Sequence, residues 1–387
     1  MLSFKSFLIE EAKQNKHITH VEDRPLQSGE VGFHQAVDSL LGAHKHIKAK
    51  KHTSELSTKF DGSPSIIYGR HPETKQFFVA TKSAFNKNPK INYTEHDVDR
   101  NHGNTPNLAS KLKYALRHLH KIAPKSGVYQ GDFMYGKDET LKEDVTMAPN
   151  FSGLTYVPKG QDVEKVKKSK LGLVTHSRYQ GDTISKMESN HDVDFNNFKA
   201  HDDVHHINPS YDTSKVSYGK KSQKEFDDHL QSAIDIHDEF GPEMYAGTKR
   251  HQGNGGHLET YINHTVKSDE EPSHKGLINH ISKKYDSMTE KLKTDKAKNA
   301  KREELDGHIS HIKANKQHYD NLLKMHKHLQ NAKNVLVSTL NQHQDYDHMH
   351  NGEPANPEGY VFHYNGKTNK LIHRHEFSKR NFLGRSK

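Results

Sequence analysis

Thr58-Lys59-Phe60-Asp61-Gly62-Ser63-Pro64 lies between two stretches that read as β-strand. A lysine, an acid, a glycine and a small hydroxyl residue in a tight turn suit a covalent lysine nucleophile. The strand end holds the amine, and the glycine lets a ligand approach the backbone closely. A K-x-D-G tetrapeptide alone is weak in a lysine-rich protein; its weight comes from the ordered set of residues downstream.

Around this stretch the hydrophobic period changes. Residues 32–49 read as a helix, with Phe33, Ala36, Val37, Leu40, Leu41 and Ile47 at helical spacing. Ser65–Tyr68 and Phe77–Ala80 are short apolar runs separated by a polar turn, a hairpin signal. Residues 96–107 read as a loop and 107–122 as a helix, followed by strands at Gly127–Tyr135 and Lys170–Arg178. Residues 186–220 are polar and aperiodic. A helix is expected over 222–239, then a glycine-bearing loop over Gly241–Gly256. Two long helical patterns come next, carried by Leu277–Leu292 and Leu305–Leu336, and they predict a helical hairpin with the lysine-dense Lys291–Arg302 near its tip. Strand character returns at Gly359–Tyr364, before a turn at Asn365-Gly366. Strands, an inserted helical segment and strands again predict one catalytic domain with an insertion.

Composition sets outer bounds. The chain has 387 residues, a formal net charge of +9, 28% charged and 31% hydrophobic residues, and no cysteine. The charge balance favours polyanionic partners. Disulfides and thiolate metal sites are excluded. No apolar run approaches a membrane span. Met1–Lys13 reads as an amphipathic helix with Ser3 as N-cap rather than as a secretory signal, so a cytoplasmic protein is expected. The 34 histidines are spread along the chain and read as generic polar surface residues.

The ordered motifs resemble those of the covalent nucleotidyltransferase superfamily, the ATP-dependent DNA ligases, RNA ligases and mRNA capping enzymes. Lys59-Phe60-Asp61-Gly62 matches K-x-D-G. Lys82 fits a basic residue on a following strand. Gln130-Gly131-Asp132-Phe133-Met134 is similar to the G-E-L strand, with Asp in place of Glu, and Leu171–His176 matches a further apolar strand loosely. Glu358-Gly359-Tyr360-Val361 matches E-G-x-V. Lys370-Leu371-Ile372-His373-Arg374 stands where K-x-K is usual, with Lys367 a rival to Lys370. The C-terminal stretch also resembles ligase-like proteins of large tailed bacteriophages, which would place the protein in the host cytoplasm. The motifs cover roughly residues 55–180 and 355–380.

The resemblance implies an α+β fold: a nucleotidyltransferase (ligase-like) core of two antiparallel sheets with flanking helices around a nucleotide cleft. The core would comprise residues 1–180 and 351–387, interrupted by a helical and loop-rich insertion at 181–350. Only Ile372–Lys387 remain beyond the last motif, so no C-terminal OB-fold is expected. The resemblance further implies an ATP-dependent polynucleotide ligase, RNA slightly preferred over DNA, acting on strand ends. The insertion or a protein partner would replace the missing OB-fold.

Lys59 would attack the α-phosphorus of ATP to give lysyl-AMP and pyrophosphate. A free lysine titrates near pH 10.4, so its neutral form must be favoured. Lys82, Lys370 and a bound Mg²⁺ (or Mn²⁺) would do this by disfavouring a second positive charge. The resemblance places Thr58, Asp61, Gly62, Ser63, Lys82, Asp132, Glu358, Lys370 and Arg374 at the nucleotide, with Asp132 and Glu358 also on the metal. His176 reads as a strand histidine rather than a ligand. Two other functions stay open: a catalytically inert nucleotidyltransferase fold used for binding or as a structural phage protein, and adenylylation of an acceptor other than nucleic acid.

Overall fold

The structure is a computed structural model, described here for residues 18–136, 141–142, 145–149 and 153–377. The expected N-terminal helix at Met1–Lys13 lies outside these residues. The chain is mixed α+β with several sheets and, among the described residues, no barrel. It forms two compact units that interleave along the sequence. Among the described residues, the first takes those of Thr53–Tyr211 and Gln344–Glu358; the second takes Ile18–His52, Asp212–His343 and residues 359–377. The expected boundary after residue 180 therefore falls inside the first unit. The strands beyond it explain why: Glu188–Asn190 and Val204–Ile207 both pair with Leu171–Gln180.

In the first unit, Ser65–Arg70 and Phe77–Ala80 form the expected antiparallel hairpin. Ser65–Arg70 also pairs antiparallel with Val128–Gly136, which pairs in turn with Leu171–Gln180. Alternation along these strands fills both faces of the sheet. Ile66, Tyr68 and Val79 pack with Leu112, Ala115 and Leu119 of the helix Pro106–Leu119 on one face. Ile67, Phe78 and Ala80 pack with Tyr179, Ile184 and Met187 on the other. A second antiparallel sheet has the order Glu353–Ala355, Tyr346–His350, Leu154–Pro158, Thr146–Met147 and Leu141–Lys142.

The second unit is mainly helical: Arg24–Lys48, Lys220–Thr248, His257–Ser268, His274–Glu290, Asp295–Ala314 and Lys316–Leu340. Its core includes Phe33, Phe226, Leu230, Met244, Leu322, Leu329 and Leu336, all buried. Gly359–Tyr364 and Lys367–Leu371 form a hairpin whose turn residues Asn365 and Gly366 both have positive φ, 47° and 72°. That geometry matches the strand twist and is what Asn-Gly supplies.

Several expectations are corrected. The loop expected over 96–107 contains the helix Glu95–His102, started by a capping box in which Thr94 and Asp97 each bond the other's backbone. The loop expected over Gly241–Gly256 shrinks to its end, because the helix runs through Pro242 to Thr248 and a 3-10 turn continues to His251. Burial of Met244, Tyr245 and Thr248 outweighs the breaker signal of Gly241-Pro242. The pattern 305–336 is two helices, divided at Asn315 (φ −111°, ψ 23°), and most of the lysine-dense stretch opens the first of them. The aperiodic 186–220 holds three short strands. The histidines are not confined to the surface: among the described residues ten are buried, including His205, His251, His308, His326 and His348.

Candidate active site around Lys59

Lys59 ends the strand His52–Lys59. Phe60, buried, anchors the exit of that strand between Tyr156 and Tyr346, at ring separations of 5.4 and 5.6 Å. The chain then turns onto the strand Val128–Gly136. The Asp61 N–H donates to the Tyr156 hydroxyl at 2.7 Å. The Ser63 N–H donates to the Phe133 carbonyl, and the Phe133 N–H to the Pro64 carbonyl, each at 3.0 Å. Ser65 then lies opposite Asp132 in the ladder. Gly62 is required here by space, not by φ: a Cβ would sit 2.7 Å from the Asp132 Cβ and 2.9 Å from the Phe133 carbonyl oxygen. The Lys111 ammonium donates to the Ser63 carbonyl at 2.9 Å and lies over the Phe133 ring. K-x-D-G and Q-G-D-F-M, far apart in sequence, are thus stitched together by backbone bonds.

The Lys59 ammonium is paired with the Glu358 carboxylate. The Lys59 side chain keeps 24% of its surface exposed and Glu358 keeps 12%, so the pair is sheltered but reachable. Burial, the largest single influence, works to lower the Lys59 pKa. Glu358, Asp61 and Asp132 together outweigh it and raise the pKa above the ordinary lysine value. Lys59 is therefore held as a cation by these carboxylates, whereas Lys82, Lys370 and a bound metal ion were expected to favour the neutral amine. Tyr156, buried near the same carboxylates, has its pKa pushed well up and stays a phenol.

His176 enters this site by a route the strand pattern hides. Thr175 pairs with Gly131 and Ser177 with Gln130, so His176 is the extra residue of a β-bulge. A bulge re-aims a side chain. The His176 Nε2 lies 3.6 Å from the Asp132 carboxylate, and its Nδ1 is 2.8 Å from the Ser177 hydroxyl. Tyr156 and Lys111 had no sequence signal. Tyr156 belongs to a strand flanked by polar residues, and Lys111 to the otherwise apolar face of a helix.

Of the remaining expected residues, Thr58 is fixed through its N–H, which donates to the Pro209 carbonyl at 2.7 Å. Lys82 is exposed at the start of the 3-10 turn Lys82–Phe85. Lys370 lies in the second unit, in the strand Lys367–Leu371, opposite Val361. Arg374, also there, is buried, and its guanidinium donates to both Asp23 carboxylate oxygens at 3.0 Å and to Asn263. Arg374 is committed to that internal pair. Three carboxylates, Asp61, Asp132 and Glu358, act on one lysine, an excess of hard oxygen donors that suits a magnesium ion.

The model of the family of unknown function DUF6267 matches residues 15–386. The chain belongs to that family. No curated protein and no solved structure matches it. Among the described residues, no helix is long and apolar enough to cross a membrane.

Proposed function

We propose that the first unit transfers a nucleotidyl group through a covalent intermediate on Lys59, as in an ATP-dependent polynucleotide ligase. One observation carries this reading: the lysine of K-x-D-G and the glutamate of E-G-x-V form an ion pair across 299 residues of sequence. On this reading the neutral Lys59 amine attacks the α-phosphorus of ATP. A P–N bond forms, the P–O bond to the β-phosphate breaks and pyrophosphate leaves. Glu358, already on the amine, takes its proton. Asp132 and Glu358 would hold Mg²⁺ or Mn²⁺, which offsets the phosphate charge. His176, on Asp132, orients that carboxylate. The net charge of +9 supports a nucleic-acid acceptor with RNA or DNA ends. A ligase-like nucleotidyltransferase core, with a protein partner or the helices of the second unit serving in place of an OB-fold, belongs to the same reading, as does a cytoplasmic, phage-encoded protein.

The ion pair also favours a second reading. A nucleophile held as a cation by Glu358 suits a fold that binds nucleotide without reacting. Incubation of the full chain with ATP labelled at the α-phosphate and Mg²⁺, followed by denaturing electrophoresis, separates the two. The enzyme carries an acid-labile phosphoramidate label that Lys59→Ala abolishes. No label, or a label retained by Lys59→Ala, overturns the covalent reading. Labelled enzyme offered nicked RNA, nicked DNA and single strands then identifies the acceptor.

A further inference from the structure

In the second unit, three side chains outside the Lys59 site carry the donor set of a transition-metal centre. Glu30 and His34 are four residues apart on the helix Arg24–Lys48, and so share a face. His237 comes from the helix Lys220–Thr248. One ligand atom from each of the three lies within 4.8 Å of the others. The His34 Nε2 is 4.0 Å from the Glu30 carboxylate, and the His34 and His237 rings meet edge-on at 5.0 Å. Ligands on a tetrahedral zinc at 2.0–2.1 Å stand about 3.3 Å apart. The closure required is at most about 1.5 Å between any two ligand atoms, and His34 and Glu30, both exposed, can move to make it.

The third ligand is oriented in advance. The His237 ring stacks on Phe33 at 4.2 Å. Its Nδ1 lies 3.1 Å from the Tyr245 hydroxyl, and that hydroxyl donates its own proton to the Met325 sulfur at 3.6 Å. With its proton directed at sulfur, the Tyr245 oxygen accepts from His237 Nδ1–H. That fixes the tautomer and leaves the Nε2 lone pair for a ligand, the role outer hydrogen bonds play at histidine metal sites. The helix itself is bent just ahead of the site, with Ser28 and Gly29 non-helical, so Glu30 opens a fresh helical run.

We propose that Glu30, His34 and His237 bind one divalent transition-metal ion of the zinc class and clamp the two helices, leaving a position open to water. Two imidazoles and one carboxylate select this class over magnesium or calcium, which prefer oxygen donors throughout. The site is separate from the nucleotide chemistry and does not depend on it.

Full-length protein stripped by chelation is titrated with Zn²⁺ and with Mg²⁺, by calorimetry and thermal unfolding, and with Co²⁺ by visible absorption. The expected result is one tight equivalent of Zn²⁺, a raised melting temperature and the d–d bands of four-coordinate Co²⁺, with Mg²⁺ unable to displace that equivalent. Glu30→Gln and His34→Ala, both at exposed positions, should each weaken the tight equivalent by about tenfold or more and remove the Co²⁺ bands. If both variants bind as the parent does, the metal sits on histidines elsewhere and the proposal fails. It fails equally if the parent shows no tight equivalent. His237→Ala is secondary, because loss of its stacking on Phe33 can itself unfold the helix pair.

Discussion

The carboxylate of Glu358 grips the Lys59 ammonium across 299 residues of chain, and Glu358 stands at the last residue of the first unit. Replacing Lys59 by Ala or Arg is expected to abolish ATP-dependent labelling, since neither supplies a primary amine there. Glu358→Gln keeps the shape but loses the proton acceptor. Labelling should fall by about 10²- to 10⁴-fold, the range of a lost general base. Quantified label per mole of folded protein checks both; retention of full labelling in Glu358→Gln would remove Glu358 from the chemistry.

The pH profile is set by the sign of the Lys59 shift. Its folded pKa is raised, so the amine that attacks is scarce at neutral pH and increases as pH rises. The labelling rate should therefore climb through the alkaline range, and Glu358→Gln should move the residual profile toward lower pH. The stabilising effect of the pair has the corresponding window. It is complete below the unfolded lysine pKa of about 10.4 and is lost as pH rises through the higher folded value. Single-turnover labelling against pH is the measurement, and a flat profile in both proteins would contradict the assignment.

Gly62→Ala tests the stitch between the two motif strands. The added methyl meets Asp132 and the Phe133 carbonyl at distances that real Cβ contacts do not reach. A cost of about 1–3 kcal/mol is expected from forced overpacking. Urea unfolding should report it, and labelling should fall further than stability alone explains, because Lys59 and Asp132 are displaced from each other.

Arg374→Met distinguishes an internal ion pair from a phosphate ligand. Removing the guanidinium leaves Asp23 buried, so the second unit should lose about 3–5 kcal/mol, as for other broken buried pairs. The KM for ATP in the folded fraction should not change. A raised KM with unaltered stability would return Arg374 to the nucleotide.

Buried neutral histidines make the fold acid-sensitive. Burial lowers His191 and His348 to about 4, and His206 and His251 to about 3. Unfolded, each titrates near 6.5, so the unfolded chain binds more protons than the folded one below that pH. Stability should be full above pH 6.5 and decline steadily as pH falls toward 4. Denaturant midpoints across that range check it; a constant midpoint would show the histidines protonating in place.

Much of this was legible from sequence where one physical signal dominated. The hairpin of Ser65–Ala80 shows a strand period, and Asn365-Gly366 specifies the turn of the separate Gly359–Leu371 hairpin by backbone conformation alone. Lys59, Asp61, Gly62, Asp132 and Glu358 were singled out by motif order, and they are neighbours in the folded first unit. The helix Glu95–His102 was missed because it buries only Val98 and His102, so its evidence lay in the Thr94–Asp97 cap rather than in periodicity. Pro242 read as an end because local propensity cannot anticipate the packing of Met244 and Tyr245. His176 was discounted because strand alternation assumes regular pairing, and one extra residue changes where a side chain points. The Arg374–Asp23 pair was not anticipated, because a buried partner 351 positions earlier in the chain leaves no local trace.

The interleaved path has a consequence for synthesis on the ribosome. Lys59 leaves the exit tunnel well before Glu358, which follows it by 299 residues. Until then the amine lacks its counter-charge, and the second unit lacks the closing strands Gly359–Tyr364 and Lys367–Leu371. Any nascent chain stopped short of residue 358 therefore carries the Lys59 ammonium without the carboxylate that restrains it.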